Sequence, residues 1–473
     1  MSQLAGTDGV LPDAGVVPHH LRREVLGHPA GVWVMASTEF WDRVSFHGMQ
    51  AMLTLYMADE LLRPDRVGGV AGFGTYRRMI ETLTGPLSIE ALAVEIFGLY
   101  SAFTYLTPIM GGWLGDRVLS RRWAVVLGGL AMTAGHFAMA FDATFLVALV
   151  LLNVGAGLFR GNLSPQVRAL YANGDPRAAD AFQIYYMMIN IGAFVAPLVT
   201  GALAAAYGWH VGFGFAGVGM ALGLVVYVAG LSYLPPDPVR RGRGQRVPAP
   251  PLTRAEWRRI SAVLAIWPVN VAFWIAQTQI WNVYNLWVRD HVALKLGTFS
   301  VPIPWFTALD GIAPLVWTPM LLALWSRQRV AGTEADILTK LATGCMIFGG
   351  ATMILAVGPW LGSGGRAPIG LPVAFHLLSN LGWCFVTPIM LAYHADAAPD
   401  RWRGTMLGVN VLAIFVAQLI TGNMGGFYES VSGFTFWSTT AAIVGGAGAA
   451  LLVVAPLLRR ISRPESAPAP VPA

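Results

Sequence analysis

The chain repeats one pattern: a long apolar run, a short connection, then another long apolar run. About 20 apolar residues in helical form cross the hydrocarbon of a bilayer. In lipid every backbone amide must find its partner within the span, which leaves helices as the form such runs can take. The runs lie near residues 31–58, 91–114, 123–141, 143–165, 181–206, 210–234, 259–288, 302–326, 335–357, 368–393, 405–428 and 433–457. The stretch PPDPVRRGRGQRVPAPPLTR at 235–254 is too rich in proline and arginine to be a span. The expected fold is therefore an all-α membrane protein of 12 transmembrane helices in two six-helix bundles. Residues 31–234 form the first and 259–457 the second, joined by a linker at 235–258 and flanked by tails at 1–30 and 458–473.

Charge supports this reading and orients it. Charged residues make up 12% of the chain, where soluble domains carry roughly 25%. Positive side chains resist translocation. With both termini in the cytoplasm, 22 Lys and Arg fall at inner connections and 7 at outer ones, and the last two, Arg43 and Arg160, lie within spans. The net charge of +6 thus follows from topology and gives no reason to expect a nucleic-acid partner. The lipid bilayer of the inner, cytoplasmic membrane is the expected surroundings. The first 30 residues lack the apolar core of a cleavable signal peptide, so the first span is expected to insert the chain. Cys345 and Cys384 sit in separate apolar runs, and neither has metal-ligand or redox spacing. The outer connection at 59–90 reads as a surface loop with a helical turn.

Ionisable groups inside hydrocarbon are costly and normally face a partner or water. In STEFWDRVSFHGMQ, Glu39, Asp42 and Arg43 share one helical face, continued by Phe46, His47 and Gln50. The fourth span adds Arg160, a cation that stays protonated. If the two arginines approach the two acids, the cluster is neutral with both acids ionised, and a proton on one acid frees an arginine for another anion. A proton and a substrate carboxylate would then compete for one cation. Asp310 is the other acid well inside a span, as substrate or proton ligand or as a helix-breaking Asp-Gly. The seventh span offers Gln277, Thr278, Gln279, Asn282 and Asn285 on more than one face, so some must hold helices together. Gln279 and Asn282 are the candidates for a cavity wall. His376 and His394 stand too far apart along their helix to read as a pair.

Three stretches resemble the proton-dependent oligopeptide transporter family of the major facilitator superfamily. GGWLGDRVLSRR (111–122) is similar to the superfamily's loop motif, FQIYYMMINIGAFVAP (182–197) to the family signature on helix five, and EFWDRVSFHGMQA to the E-x-x-E-R-F-x-Y-Y motif on helix one. The resemblance implies proton-driven uptake of small peptides by alternating access, with a proton gradient as energy source and no cofactor, metal or catalytic residue. It implies that Gly112, Asp116, Arg117 and Arg121 latch helices together, and that Glu39, Asp42, Arg43 and Arg160 couple protons. It implies that Arg43 and Arg160 hold the peptide carboxylate and that Asn190 contacts peptide backbone.

Departures from the family pattern bear on the other end of the substrate. Phe46 and His47 replace the paired tyrosines, Gln50 replaces an arginine that pairs across the extracellular gate, Thr278 stands at a glutamate position beside a retained Gln279, and Trp383 aligns with the glutamate that grips the amino terminus. Asp310 falls where an asparagine is usual. Either the substrate is anionic or amino-blocked, resting on Trp274, Trp281, Trp305 or Trp383, or Asp310 has taken over the lost role. Rival accounts are an exporter of a non-peptide anionic or aromatic solute and a non-transporting receptor. The sequence shows no Ser/His/Asp grouping, zinc spacing or phosphate loop that would suggest an enzyme.

Overall fold

The computed structural model describes residues 23–172, 174–235, 252–396 and 399–462. Two short antiparallel hairpins, β1 (Glu24–Val25) with β2 (His28–Pro29) and β3 (Lys295–Leu296) with β4 (Phe299–Ser300), are its only strands among these residues. The rest is helical. The first bundle comprises α1 (Ala30–Tyr56), α3 (Ile89–Arg117), α4 (Arg121–Ala138), α5 (Phe145–Ala169), α6 (Arg177–Tyr207) and α7 (Trp209–Ala229), with a short α2 (Phe73–Thr84) in the connection after α1. The second comprises α8 (Arg254–Thr278) continued by α9 (Val283–His291), α10 (Pro304–Thr307) leading into α11 (Leu309–Val330), then α12 (Ile337–Val357), α13 (Gly370–Asp396), α14 (Asp400–Ser430) and α15 (Gly433–Ser462).

Among the described residues ten helices are long and apolar enough by composition to cross a membrane. α1 and α4 complete the twelve. They miss the apolar set because α1 carries Glu39, Asp42 and Arg43, while α4 has 18 residues and holds Arg121, Arg122 and His136. Caps mark the ends: Ser88 Oγ accepts from Ala91 N at 3.1 Å before α3, and Thr253 with Glu256 forms a capping box before α8. That box corrects the expected domain edge. α8 starts at Arg254, not 259, its first two turns carrying Arg254, Arg258 and Arg259 ahead of the apolar run; α15 likewise runs past 457 to Ser462. The 59–90 connection holds a three-turn helix, α2, seated by buried Phe73 and Ile80.

Within the first bundle α3 and α5 cross so closely that a Cβ on Gly111 would come 2.0 Å from the Gly157 carbonyl oxygen. Gly161 meets Pro108 and Gly112 in the same way. Contacts between the bundles run from mid-helix to the ends remote from the termini. α3 lies on α14 through Gly98 and Gly422, and α6 lies on α11 through Asn190 and Gly311. Arg289 bridges to Asp59 and Glu90, both at 2.5 Å.

Candidate functional site

The site begins with helical geometry. Residues three and four apart on α1 share a face, so Glu39, Asp42 and Arg43 stand together, and α5 and α6 cross α1 where Arg160 and Tyr185 project. Arg43 Nε donates to Glu39 Oε1 at 2.7 Å, and its terminal nitrogen lies 3.0 Å from Asp42 Oδ2. Arg160 spans the same carboxylate, with Nε 3.1 Å from Oδ2 and a terminal nitrogen 3.3 Å from Oδ1. Tyr185 donates its hydroxyl to Glu39 Oε2. Asp42 is therefore shared by two guanidiniums. Phe46 floors the pair, with the Arg160 guanidinium 4.0 Å and that of Arg43 5.7 Å from its ring centre.

Exposure shows which side of this cluster is reachable. The Glu39 and Asp42 side chains are 2% and 0% exposed, whereas Arg43 and Arg160 keep 16% and 12%. An anion arriving from solvent would meet the cations first.

His47 continues the α1 face and lies against Trp281, ring centres 5.3 Å apart, with Nδ1 buried and unpartnered. Gln50 is buried one turn beyond Phe46. Asn190 donates to the Tyr186 carbonyl of its own helix at 2.8 Å and sits where α6 crosses α11.

A second polar cluster forms in the other bundle. Asp310 Oδ1 takes His376 Nδ1 at 2.8 Å and Asn380 Nδ2 at 2.5 Å, and His376 Nε2 lies 2.9 Å from the Tyr284 hydroxyl. With Asp310 ionised, His376 carries its proton on Nδ1 and Tyr284 donates to Nε2. Asp310 Oδ2 is buried without a partner. Sequence reading paired His376 with nothing. Its partner lies on another helix, and a lone histidine in an apolar run gives no sign of it; Tyr185, one of several tyrosines in its segment, was hidden in the same way.

Other candidates are placed in helix contacts. Thr278 Oγ1 lies 2.7 Å from Thr421 Oγ1, and Gln279 Nε2 lies 3.2 Å from Met424 Sδ. Asn282 donates to the Val94 carbonyl at 3.1 Å and neighbours Thr54 Oγ1 at 3.3 Å. The seventh span breaks between Thr278 and Val283, and in this state the Gln279 and Asn282 amides lie on neighbouring helices. Trp383 is half-buried against the core. In the α3–α4 connection Arg121 Nε pairs with Asp116 at 2.7 Å, Arg117 lies over the Trp113 ring at 5.5 Å, and a Cβ on Gly112 would meet the Gly161 carbonyl at 3.3 Å.

A cavity of about 620 Å³ lies within the second bundle, lined by Arg259, Trp325, Lys340, Cys384, Tyr393 and Asp396 among others, apart from both clusters. Among the described residues no group of His, Cys, Asp and Glu is arranged to hold a metal ion.

Comparison with known proteins places this geometry. The POT family model matches residues 122–240 and 252–434, more than half of the chain. The uncharacterized transporter YclF of Bacillus subtilis (strain 168) is 28% identical over 494 residues, covering 92% of this chain and 95% of that protein. Peptide transporter YePEPT of Yersinia enterocolitica is 26% identical, covering 94% of this chain and 97% of its own length. The crystal structure of peptide transporter POT in complex with sulfate superposes with a TM-score of 0.80 at 27% identity, covering 93% of this chain and 97% of that one. A mutant form in complex with alafosfalin gives 0.79, also at 27% identity over 93% and 97% of the two chains. The chain belongs to the POT family, and is a membrane transporter rather than an enzyme.

Proposed function

We propose that this transporter imports small peptides or peptide-like molecules across the cytoplasmic membrane, driven by protons, with both termini in the cytoplasm. The observation that carries the reading is Asp42 held between Arg43 and Arg160. Removing one ion from a buried pair costs about 3–5 kcal/mol, because the other is left uncompensated. A proton on Asp42 together with a substrate carboxylate on the arginines avoids that cost, so the two are bound together. The excess of positive residues at the connections on the terminal side supports the orientation. The bundles meet in the halves remote from the termini, so in this state the path from the cluster leads to the cytoplasm.

The unpartnered Oδ2 of Asp310 favours a free amino group over a blocked one, since an ammonium would satisfy it. The peptide names of the Yersinia relative and of the solved structure agree with such a substrate. Reconstituted vesicles test the proposal. Labelled dialanine should accumulate when the outside is acidic, and Asp42→Asn should still exchange dialanine at equal concentrations while no longer accumulating it. Accumulation that ignores the pH gradient in the unaltered protein overturns the reading.

A further inference from the structure

Glu95 is a buried acid that neither cluster uses. It lies on α3 in the half remote from the termini, 5% exposed, and its Oε2 is sealed from solvent without a hydrogen-bond partner. What surrounds it is the seam between the bundles. A Cβ on Gly98 would come 2.5 Å from Gly422 and 2.8 Å from the Gln418 carbonyl of α14, and one on Gly422 would come 3.0 Å from Glu95 Oε2. Gly425 lies on Ala91 and Val94 one turn outward.

The groups facing this spot from each packed element are largely uncharged. α14 meets Glu95 at Gly422, with Gln418, whose own Oε1 is buried and unpartnered, one turn away, and α2 offers the Tyr76 phenol. The break between α8 and α9 offers Asn282, already committed to the Val94 carbonyl. Charges begin further out: Glu90 on α3, Asp59 and Asp290 around Arg289, and Tyr428 with Glu429 on α14. None of the ion pairs among the described residues includes Glu95. An ionised carboxylate with one oxygen sealed and no counter-charge is disfavoured in such a place, and a proton or an opening of the seam relieves it.

We propose that Glu95 is a second proton-binding site, loaded from the face opposite the termini, and that its protonation permits α3 and α14 to close on each other. The inference rests on the import reading above, run by the alternating access that the family resemblance implies. When the bundles part on that face, water reaches the carboxyl and it ionises; to close again it must take a proton from the same side. Reopening returns that proton to where it came from. Glu95 therefore sets how pH governs the gate without adding to the protons carried inward per cycle.

One proton taken up on closing changes the closed-to-open ratio by at most about tenfold per pH unit. Spin labels on Thr82→Cys, exposed on α2, and Ser432→Cys, exposed beside α15, report the gate in lipid. The open population should grow as the buffer goes from mildly acidic to mildly alkaline, while Glu95→Gln should keep the open fraction at its low, acid-side value across that range, and the slower uptake that remains in vesicles should keep the same proton-to-substrate ratio. A Glu95→Gln gate that follows pH as the unaltered protein does overturns the proposal. Should that variant fail to fold, a gate distance in the unaltered protein that ignores pH overturns it equally. Loss of gradient-driven uptake in the unaltered protein would instead strike the import reading, because the label distances are read without substrate.

Discussion

The two polar clusters of this transporter are built on opposite plans. In the first bundle Glu39, Asp42, Arg43 and Arg160 cancel one another's charge, and the arginines keep the contact with solvent. In the second, Asp310 stands as one acid among groups that are neutral or only conditionally charged, His376, Asn380 and, behind them, Tyr284, with one oxygen unused. The first cluster can lend a cation; the second can lend an acceptor. A peptide carries a carboxylate at one end and an ammonium at the other, and under the proposed function the contrast would give it a direction of binding. It is also why that proposal puts proton exchange on the first cluster: there, neutralising one acid releases an opposite charge.

The largest effect expected from breaking this contrast is at Arg160. Arg160→Ala leaves Asp42 with one cation fewer, and a cost of about 3–5 kcal/mol predicts at least a hundredfold loss of dialanine uptake in vesicles. Arg160→Lys keeps the charge but loses the two-point grip, and uptake should fall about tenfold; equal uptake by Lys and Arg would show that the fork geometry is idle. Next comes Asp310→Asn, for which dialanine uptake should drop about a hundredfold in kcat/KM while uptake of the N-acetylated peptide is unchanged. His376→Ala touches Asp310 only by positioning it, so it should raise KM for dialanine several-fold and leave kcat alone; a fall in kcat instead would place the histidine in the proton path.

The smallest effect lies outside both clusters. Glu334, in the connection before α12, has its carboxyl lowered to about 2 by hydrogen bonds from Arg329 and Lys340. A lowered carboxylate stabilises the folded state above its ordinary value of 4.5 and loses that contribution as pH falls towards 2. Such exposed pairs contribute little. Thermal unfolding of Glu334→Gln should therefore differ slightly from the unaltered protein near neutrality, and the two should converge in acid.

The architecture was readable because hydrocarbon imposes a length on every span and a cost on every charge. That is why Glu39, Asp42, Arg43 and Arg160 could be singled out from one helical period and one isolated arginine. Tyr185 and His376 were not readable, since an aromatic or a lone imidazole in an apolar run is compatible with plain packing until the crossing helix is seen. The seventh span was unreadable for a different reason. Its break at Asn282 lays the Gln279 and Asn282 amides on neighbouring helices in this state, and no spacing rule foretells that break. The start of α8 was within reach: Thr253 and Glu256 spell a capping box that outweighs the arginines around it.

The contact of α3 with α5 through Gly111, Gly157 and Gly161 leaves no slack between two backbones. A wall without slack cannot absorb a displacement; it can only hand it on. Whatever tilts α5, and Arg160 with it, must tilt α3 as well, and α3 carries the seam with α14 at its other end. On the cycle proposed above, an event at the middle of the membrane would reach the α3–α14 seam through these two backbones, by leverage.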